Sequence, residues 1–222
     1  MKVSDKIVYR MKNKAKYFRV LILCFMVTFS LVIVTISVHH LIIKPSICST
    51  NTLASGSNTI GGEFELFNSN GLLVNSREII SEPSLIYFGY SFCPDVCPYD
   101  LERNAIAIDI LQDLGLSVTP IFITIDPERD TPERLRAFSP IIHPKLISLT
   151  GSKFAIDETM KLFKVYGARS QPFNSDEENY LLDHSAFTYL IDPEKGFLEF
   201  YHRKVTSEEM ANSVECLIST RG

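Results

Sequence analysis

The pattern of hydrophobic positions separates one long apolar run near the N-terminus from a series of shorter segments behind it. The run covers residues 20–38, reads VLILCFMVTFSLVIVTISV without a charged side chain, and continues in apolar character past His39 and His40 to Ile43. At about 1.5 Å rise per residue, a helix over residues 20–38 spans about 28 Å, close to the hydrocarbon thickness of a bilayer. The pattern therefore predicts a single transmembrane helix, assigned to residues 20–43.

Charge is distributed unevenly about this apolar run. Residues 1–19 hold seven Lys or Arg and one Asp, a local charge of +6, whereas the whole chain carries −4, which leaves −10 for the rest. By the positive-inside rule, residues 1–19 form a basic cytoplasmic head and the C-terminal part lies outside. A cleaved signal peptide is the alternative, but its apolar region is usually shorter and ends at a small-x-small site. The acidic body argues against nucleic-acid binding, because phosphate contacts require basic patches.

The short, Lys-rich head is typical of a protein of the bacterial inner membrane whose C-terminal domain faces the periplasm. A mitochondrial homologue would normally begin with a longer presequence rich in Ser and Arg, so the mitochondrial inner membrane is the less favoured location. No second apolar run of this length occurs in the sequence. The sequence therefore predicts a single-pass protein.

Behind the anchor, residues 44–58 have the Ser, Thr, Asn and Gly content of a linker, and residues 59–222 form the predicted domain. Apolar alternation predicts an N-terminal hairpin of residues 63–68 and 72–75 that turns at Asn70-Gly71. Short apolar runs predict three buried strands, at 84–90, 118–125 and 146–149, and a second hairpin follows at 186–191 and 197–201. Helical spacing and N-cap signals predict helices over 101–114, from Thr131-Pro132, from Ser152 to Gly167 and from Thr206. This order indicates an α/β domain with a mixed sheet.

Two cysteines, Cys93 and Cys97, lie where the first buried strand ends and a helix begins. A cysteine at a helix N-terminus is near free backbone N–H groups and the positive end of the helix dipole, which lowers its pKa and favours the thiolate. The i, i+4 spacing predicts that both sulfurs lie on one face of the first helical turn, where they can bind an ion or close into a disulfide. Two core cysteines or a buried structural disulfide are the alternative.

The Cys-x-x-x-Cys spacing is one residue longer than the C-x-x-C pair of thioredoxin-type redox proteins. The wider spacing favours metal binding over pure disulfide exchange. Zinc takes four ligands in structural sites, whereas two thiolates and one imidazole form a soft, three-coordinate site that suits Cu(I). Copper is therefore the expected metal. A thiol–disulfide oxidoreductase or thiol peroxidase is the alternative use of Cys93 and Cys97.

His184 is the candidate third ligand. It follows the polar stretch 168–183, which is long for a loop and so a candidate functional segment, and it lies at the mouth of a predicted strand. Asp183 is a candidate partner that fixes the imidazole tautomer. The charged segment 124–132 is either a solvated loop with a helix cap or a wall of the same site that orients His184 or docks a partner. The remaining histidines are interpreted as interfacial or surface positions: His39, His40, His143 and His202.

The three other cysteines have different expected roles. Cys24 lies in the middle of the predicted anchor, Cys48 in the linker and Cys216 in the last predicted helix. Cys216 is expected to be packed against the domain, and a Cys48–Cys216 bridge is the alternative.

Four segments together resemble the Sco/SenC family of copper chaperones: residues 60–64 (IGGEF), 87–98 (YFGYSFCPDVCP), 126–131 (DPERDT) and 183–185 (DHS). The resemblance covers residues 59–219. It implies a thioredoxin-like fold, a single N-terminal membrane anchor, and copper bound by two cysteines and one histidine, which correspond to Cys93, Cys97 and His184. It further implies a role in building the binuclear copper site of cytochrome c oxidase subunit II, with a copper donor or thiol reductant protein as a further partner.

Two main functional hypotheses follow. The first is a copper-binding assembly factor that delivers the metal to the target site or reduces the cysteines of that site. The second is an enzyme, a thiol–disulfide oxidoreductase or thiol peroxidase. The first is favoured, because a peroxidase does not need His184 opposite the cysteines. The two overlap chemically, because copper binding requires reduced thiolates. A plain interaction module with a structural disulfide is a third, less favoured hypothesis.

Overall fold

The computed structural model describes residues 25–35, 60–170 and 180–219. The chain divides into two compact units, Met1–Ile47 and Cys48–Gly222. In the first unit, residues 25–35 form helix α1, and their side chains are exposed. Among the described helices, none is both long enough and apolar enough to cross a membrane.

Most of the predicted N-terminal organisation lies outside the described residues. This holds for the whole basic head, the whole linker and the greater part of the predicted anchor over residues 20–43. The assignment of these three segments therefore stays a prediction.

Within residues 60–170 and 180–219, the second unit contains nine strands and five helices. The strands are β1 Glu65–Asn68, β2 Leu73–Asn75, β3 Ser84–Gly89, β4 Thr119–Thr124, β5 Ile147–Thr150, β6 Gly167–Arg169, β7 Leu182–His184, β8 Phe187–Asp192 and β9 Gly196–His202. The helices are α2 Ser76–Ile79, α3 Val96–Asp113, α4 Pro132–Ile142, α5 Lys153–Leu162 and α6 Ser207–Ser219.

Seven of these strands form one mixed sheet in the order β2-β1-β5-β4-β3-β8-β9. The three central strands β3, β4 and β5 are parallel, and the flanking pairs are antiparallel. Both predicted hairpins are present, as β1 with β2 and β8 with β9. The predicted α/β domain with a mixed sheet is therefore confirmed.

Local signals in the sequence begin several helices where they were predicted. The Thr131 side chain accepts a hydrogen bond from the Arg134 N–H at 3.3 Å at the start of α4, which has Pro132 as its first residue. The Ser152 side chain accepts from the Ala155 N–H at 3.1 Å at the start of α5. These bonds satisfy backbone donors that have no partner inside the helix, which stabilises the helix start by about 1 kcal/mol each.

Buried apolar residues form two clusters around the sheet. The first contains aromatic residues such as Phe88, Phe122 and Phe163, and it includes both Cys93 and Cys97. The second joins α3 to α6. Because residues of α3 contribute to both clusters, the N-terminal end of this helix, which carries Cys97, is held against the sheet.

The chain departs from the predicted elements after α5. This helix ends at Leu162 and not at Gly167, because the backbone turns at Lys164, which has a φ of 56°, and then pairs as β6 with β7. A Cβ on Gly167 would lie 2.6 Å from the end of the Met160 side chain, so a larger residue in β6 would displace that flexible side chain of α5. The small β6–β7 sheet occupies both ends of the stretch predicted as one irregular loop, whose residues 171–179 lie outside the described part. It matters for function because β7 ends at His184.

Candidate metal site

Cys93, Cys97 and His184 converge to form one group of potential metal ligands. Their sulfur and ring-nitrogen atoms all lie within 4.8 Å of one another, and the Sγ atom of Cys97 is 3.3 Å from Nε2 of His184. No other group of three such side chains occurs within 25–35, 60–170 and 180–219. Residues 87 positions apart in the chain thus meet at the end of the central strand β3.

The loop between β3 and α3 brings the two sulfurs together. Cys93 precedes α3, and Cys97 is the second residue of the helix, so the expectation that both lie on its first turn is corrected. The Cys97 N–H donates a hydrogen bond to the Cys93 sulfur at 3.4 Å, while Asp95, the N-cap residue, makes no capping bond through its side chain. The Cys93 sulfur therefore satisfies a helix donor that a capping oxygen normally satisfies.

Gly89, the last residue of β3, lets this loop pack closely. A Cβ at this position would lie 2.8 Å from the Tyr87 ring, 3.0 Å from the Cys97 sulfur and 3.2 Å from the Phe122 ring. A side chain at Gly89 would therefore displace the Cys97 sulfur or the aromatic rings beneath it.

The imidazole of His184 is oriented by its own backbone and by two tyrosines. Its Nδ1 lies 3.0 Å from the carbonyl oxygen of Ser185, so Nδ1–H donates and the lone pair of Nε2 faces the Cys97 sulfur. The rings of Tyr87 and Tyr90 meet the imidazole edge-on, with centroids 6.2 and 6.0 Å away. Asp183 is exposed, and the Ser185 carbonyl takes the role proposed for it, so that part of the sequence interpretation is wrong.

The two thiols differ in proton affinity because they share a hydrogen bond. The S–H of Cys97 stabilises the Cys93 thiolate and lowers the pKa of Cys93 to about 3, against an opposing effect of burial. The same bond, together with burial, raises the pKa of Cys97 above its ordinary value. At neutral pH the pair therefore holds one proton, with Cys93 as the thiolate and Cys97 as the thiol. The predicted lowering of a cysteine pKa is confirmed for Cys93 only.

Behind the cysteines lies a buried polar network that the sequence patterns did not reveal. The Tyr87 hydroxyl donates to a carboxylate oxygen of Asp100 at 3.1 Å, and Arg103 forms an ion pair with Asp100 at 3.4 Å. Arg103 also donates to the Thr188 hydroxyl on β8 at 3.0 Å. An Asp–Arg pair spaced i, i+3 on a helix resembles an ordinary surface pair in sequence. Its burial follows only from the packing of α3 against β8.

The charged segment 124–132 is folded into the wall of the site. Asp130 is fully buried and accepts hydrogen bonds from the Ser91 N–H at 2.9 Å and from the Thr124 hydroxyl at 2.6 Å. Asp126 is buried as well and pairs with Arg129. The burial of both carboxylates favours a wall of the site, while the exposed Glu128 and the Thr131 cap of α4 agree with the other interpretation. The bond from Asp130 to Ser91 ties the segment directly to the loop that carries Cys93.

The remaining candidate residues lie elsewhere. His143 is buried, with Nε2 3.3 Å from an Asp109 carboxylate oxygen, so its interpretation as a surface residue is wrong. His202 is exposed at the end of β9. Cys216 is disulfide-bonded, whereas Cys93 and Cys97 are free. Four candidate residues lie outside the described part of the chain: Cys24, His39, His40 and Cys48. The alternative Cys48–Cys216 bridge therefore stays a prediction.

Three features together define a class of thiol-based metal-binding or redox proteins. They are an α/β domain with a mixed sheet, a Cys-x-x-x-Cys loop after strand β3, and a histidine that faces this loop. A family model described as SCO1/SenC matches residues 53–219. The chain therefore belongs to the SCO1/SenC family, which confirms the resemblance drawn from its sequence motifs.

Individual relatives agree with this assignment. The chain is 47% identical to Protein SenC of Rhodobacter capsulatus over 164 residues, which cover 74% of this chain and 73% of the relative. It is 40% identical to Protein sco1 of Schizosaccharomyces pombe over 160 residues, covering 72% and 61% of the two chains.

Solved structures share the fold. The structure of Arabidopsis thaliana ScoI with copper bound superposes with a TM-score of 0.68 at 37% identity, over 72% of this chain and 99% of that chain. The structure of Bradyrhizobium japonicum ScoI with copper bound superposes with a TM-score of 0.60 at 34% identity, over 71% and 99%. The domain thus has the thioredoxin-like Sco fold predicted for it.

Proposed function

We propose that this protein binds a copper ion through Cys93, Cys97 and His184 and delivers it to the binuclear copper site of cytochrome c oxidase subunit II. The observation that carries the proposal is the convergence of two cysteine sulfurs and one imidazole nitrogen within 4.8 Å. Relatives of the same family have been solved with copper bound. In this scheme copper is the cargo, and the donor protein and the oxidase subunit are the partners.

The donor set fits copper on chemical grounds. Thiolates are soft ligands that favour Cu(I), and an imidazole nitrogen adds a ligand that Cu(II) also accepts. The Nε2 lone pair of His184 is available because Nδ1–H donates to the Ser185 carbonyl. One ligand is already a thiolate, and only the Cys97 proton must leave when the metal binds.

A second candidate function is reduction of the cysteines of the target copper site, which the unequal pKa values of the two thiols favour. The Cys93 thiolate attacks a sulfur of a target disulfide, and one target thiolate leaves. Cys97 then attacks the Cys93 sulfur, the second target thiolate leaves and takes up the Cys97 proton, and a Cys93–Cys97 disulfide forms. Two electrons pass to the target, and a thiol reductant protein must restore the pair.

Copper loading of the full-length protein tests the proposed copper ligands and the redox reactivity of the Cys93–Cys97 pair together. We expect the reduced protein to bind one copper ion per chain and the mildly oxidised protein to lose this binding, because a Cys93–Cys97 disulfide leaves no thiolate ligand. Re-reduction is expected to restore loading, as measured by metal analysis after desalting. A Cys93→Ser/Cys97→Ser double variant is the matched control, since it keeps the disulfide at Cys216 and shows any copper binding that depends on the redox state of that bond alone. Copper loading that is indifferent to oxidation would contradict the proposed ligands.

We also propose that residues 20–43 anchor the protein in the bacterial inner membrane with the domain in the periplasm. The apolar run and the basic head support this location, and the disulfide at Cys216 fits an oxidising compartment. The full-length protein is expected to stay with membranes after alkaline carbonate washing, with its C-terminal domain open to protease from the outer side. Recovery mainly as a soluble, N-terminally trimmed form would contradict the anchor.

A further inference from the structure

Arg129 lies at the centre of a stack of aromatic rings beside the candidate metal site. Its guanidinium carbon is 3.6 Å from the ring centroid of Tyr180, 4.9 Å from that of Phe92 and 5.7 Å from that of Tyr90. The Arg129 side chain is 14% exposed, and its Nε donates to a carboxylate oxygen of Asp126 at 2.5 Å. A cation that is largely removed from water binds an aromatic face more strongly than an exposed one.

The rings around Arg129 belong to two segments that are distant in sequence. Tyr90 and Phe92 lie in the loop that leads to Cys93, whereas Tyr180 lies just before β7, the strand that ends at His184. The guanidinium is therefore a physical link between the loop that supplies the thiolate and the strand that supplies the imidazole.

Two hydrogen bonds extend this link towards His184. The Tyr180 hydroxyl donates to a carboxylate oxygen of Asp126 at 2.5 Å, which closes a ring of contacts with Arg129. The Leu182 N–H donates to the Tyr90 hydroxyl at 3.2 Å, and the Tyr90 ring meets the His184 imidazole edge-on. Tyr90 thus contacts Arg129, the first residue of β7 and the imidazole at the end of that strand.

We infer that Arg129 is a positioning residue that holds β7 against the cysteine loop and thereby keeps the His184 imidazole beside the Cys97 sulfur. The inference deepens the proposed function and rests on it, because it concerns the imidazole ligand of the same copper site. A lysine keeps the charge but has no planar guanidinium to stack on three rings. Arg129→Lys is therefore expected to behave as a loss of function at this position and not as a conservative change.

The test compares Arg129→Lys and Arg129→Met with a matched control, Arg136→Met. Arg136 is an exposed residue of α4 that bonds the Ser69 carbonyl, away from the site. In the metal-free full-length protein, hydrogen exchange of residues 182–186 is expected to be about tenfold faster in both Arg129 variants and unchanged in the control. Cu(II) affinity and the thiolate-to-copper absorption are expected to fall, with Cu(II) binding about tenfold weaker. Cu(I) binding, which the thiolates dominate, should stay near the wild-type value.

Tyr180 provides a second pair of variants that does not alter a buried charge. Tyr180→Leu removes the ring and should reproduce the Arg129 phenotype, whereas Tyr180→Phe keeps the ring over Arg129, gives up only the hydroxyl bond to Asp126 and should show a much smaller loss. This pair of variants tests the positioning role of the contact between Arg129 and the Tyr180 ring even if both Arg129 variants fail to fold.

The outcomes separate this inference from the proposed function. If His184→Ala loses Cu(II) binding while the Arg129 and Tyr180→Leu variants keep it, the proposed function stands and the positioning role is refuted. If Arg129→Lys keeps both the hydrogen exchange and the Cu(II) binding of the wild type, a positive charge alone is sufficient to hold β7, and the stacking role is refuted. Equal losses of Cu(I) and Cu(II) would also refute it, because they would indicate general damage to the site. If wild-type Cu(II) binding does not depend on His184, the proposed ligand set itself fails.

Discussion

Cys97→Ser and Cys93→Ser are each expected to weaken copper binding by more than about 100-fold, because loss of an outer hydrogen-bond partner of a ligand alone costs about 10- to 100-fold in metal affinity. The loss should extend to both Cu(I) and Cu(II), since each variant removes one of only two soft ligands in the site. A competition titration against a copper chelator of known affinity measures the change.

The reactivity of the remaining thiol checks that each variant keeps the geometry of the site. In Cys97→Ser, the serine hydroxyl can still donate to the Cys93 sulfur, so Cys93 should stay a thiolate and react with iodoacetamide even at pH 6. In Cys93→Ser, burial still raises the pKa of Cys97, so this thiol should react slowly under the same conditions. Copper binding that survives in either serine variant at the wild-type level would exclude the two-thiolate site.

His184→Ala is expected to separate the two oxidation states of copper. Two thiolates can hold Cu(I) without the imidazole, whereas Cu(II) is harder and depends more on nitrogen. We therefore expect measurable Cu(I) binding but loss of most Cu(II) binding and of its thiolate charge-transfer absorption. Absorption spectra and chelator competition in each oxidation state, with the same preparation, give the two affinities.

Two control variants follow from the structure. His202→Ala removes an exposed imidazole at the end of β9, and Asp183→Asn neutralises an exposed carboxylate next to His184. Both should bind copper like the wild type, because neither side chain belongs to the group of converging ligands. Wild-type Cu(II) binding by His184→Ala would mean that His184 is not a ligand, and a large effect of Asp183→Asn would mean that the Ser185 carbonyl does not determine the imidazole tautomer.

The cysteine geometry connects the two candidate functions. A pair that holds one proton, with Cys93 as the thiolate, suits both metal capture and nucleophilic attack on a disulfide. His184 distinguishes them, because disulfide exchange does not need a third metal ligand 3.3 Å from the Cys97 sulfur. The histidine is thus the residue whose removal should impair copper handling more than thiol exchange.

The elements that sequence reasoning predicted correctly depend on interactions between near neighbours. In each of these elements the contacting residues are at most four positions apart. Examples are the turn at Asn70-Gly71, the caps at Thr131 and Ser152, and the strand-to-helix turn at Cys93. Such signals can be recognised in the sequence because the residues that make each contact lie within one short segment of the chain. The predicted Gly167 end of α5 failed for the complementary reason, since pairing with the distant strand β7 overrode the local helical pattern.

The amino-acid sequence by itself determined the fold class, the family and the three residues proposed to bind the metal. Only the tertiary structure decided how these residues work. The Ser185 carbonyl and not Asp183 sets the tautomer of His184, the shared hydrogen bond makes Cys93 and not Cys97 the thiolate, and Arg129 joins the two halves of the site. Burial and long-range contact, which raise or lower the cost of a charge and fix a ring's orientation, arise only when segments far apart in the chain pack together.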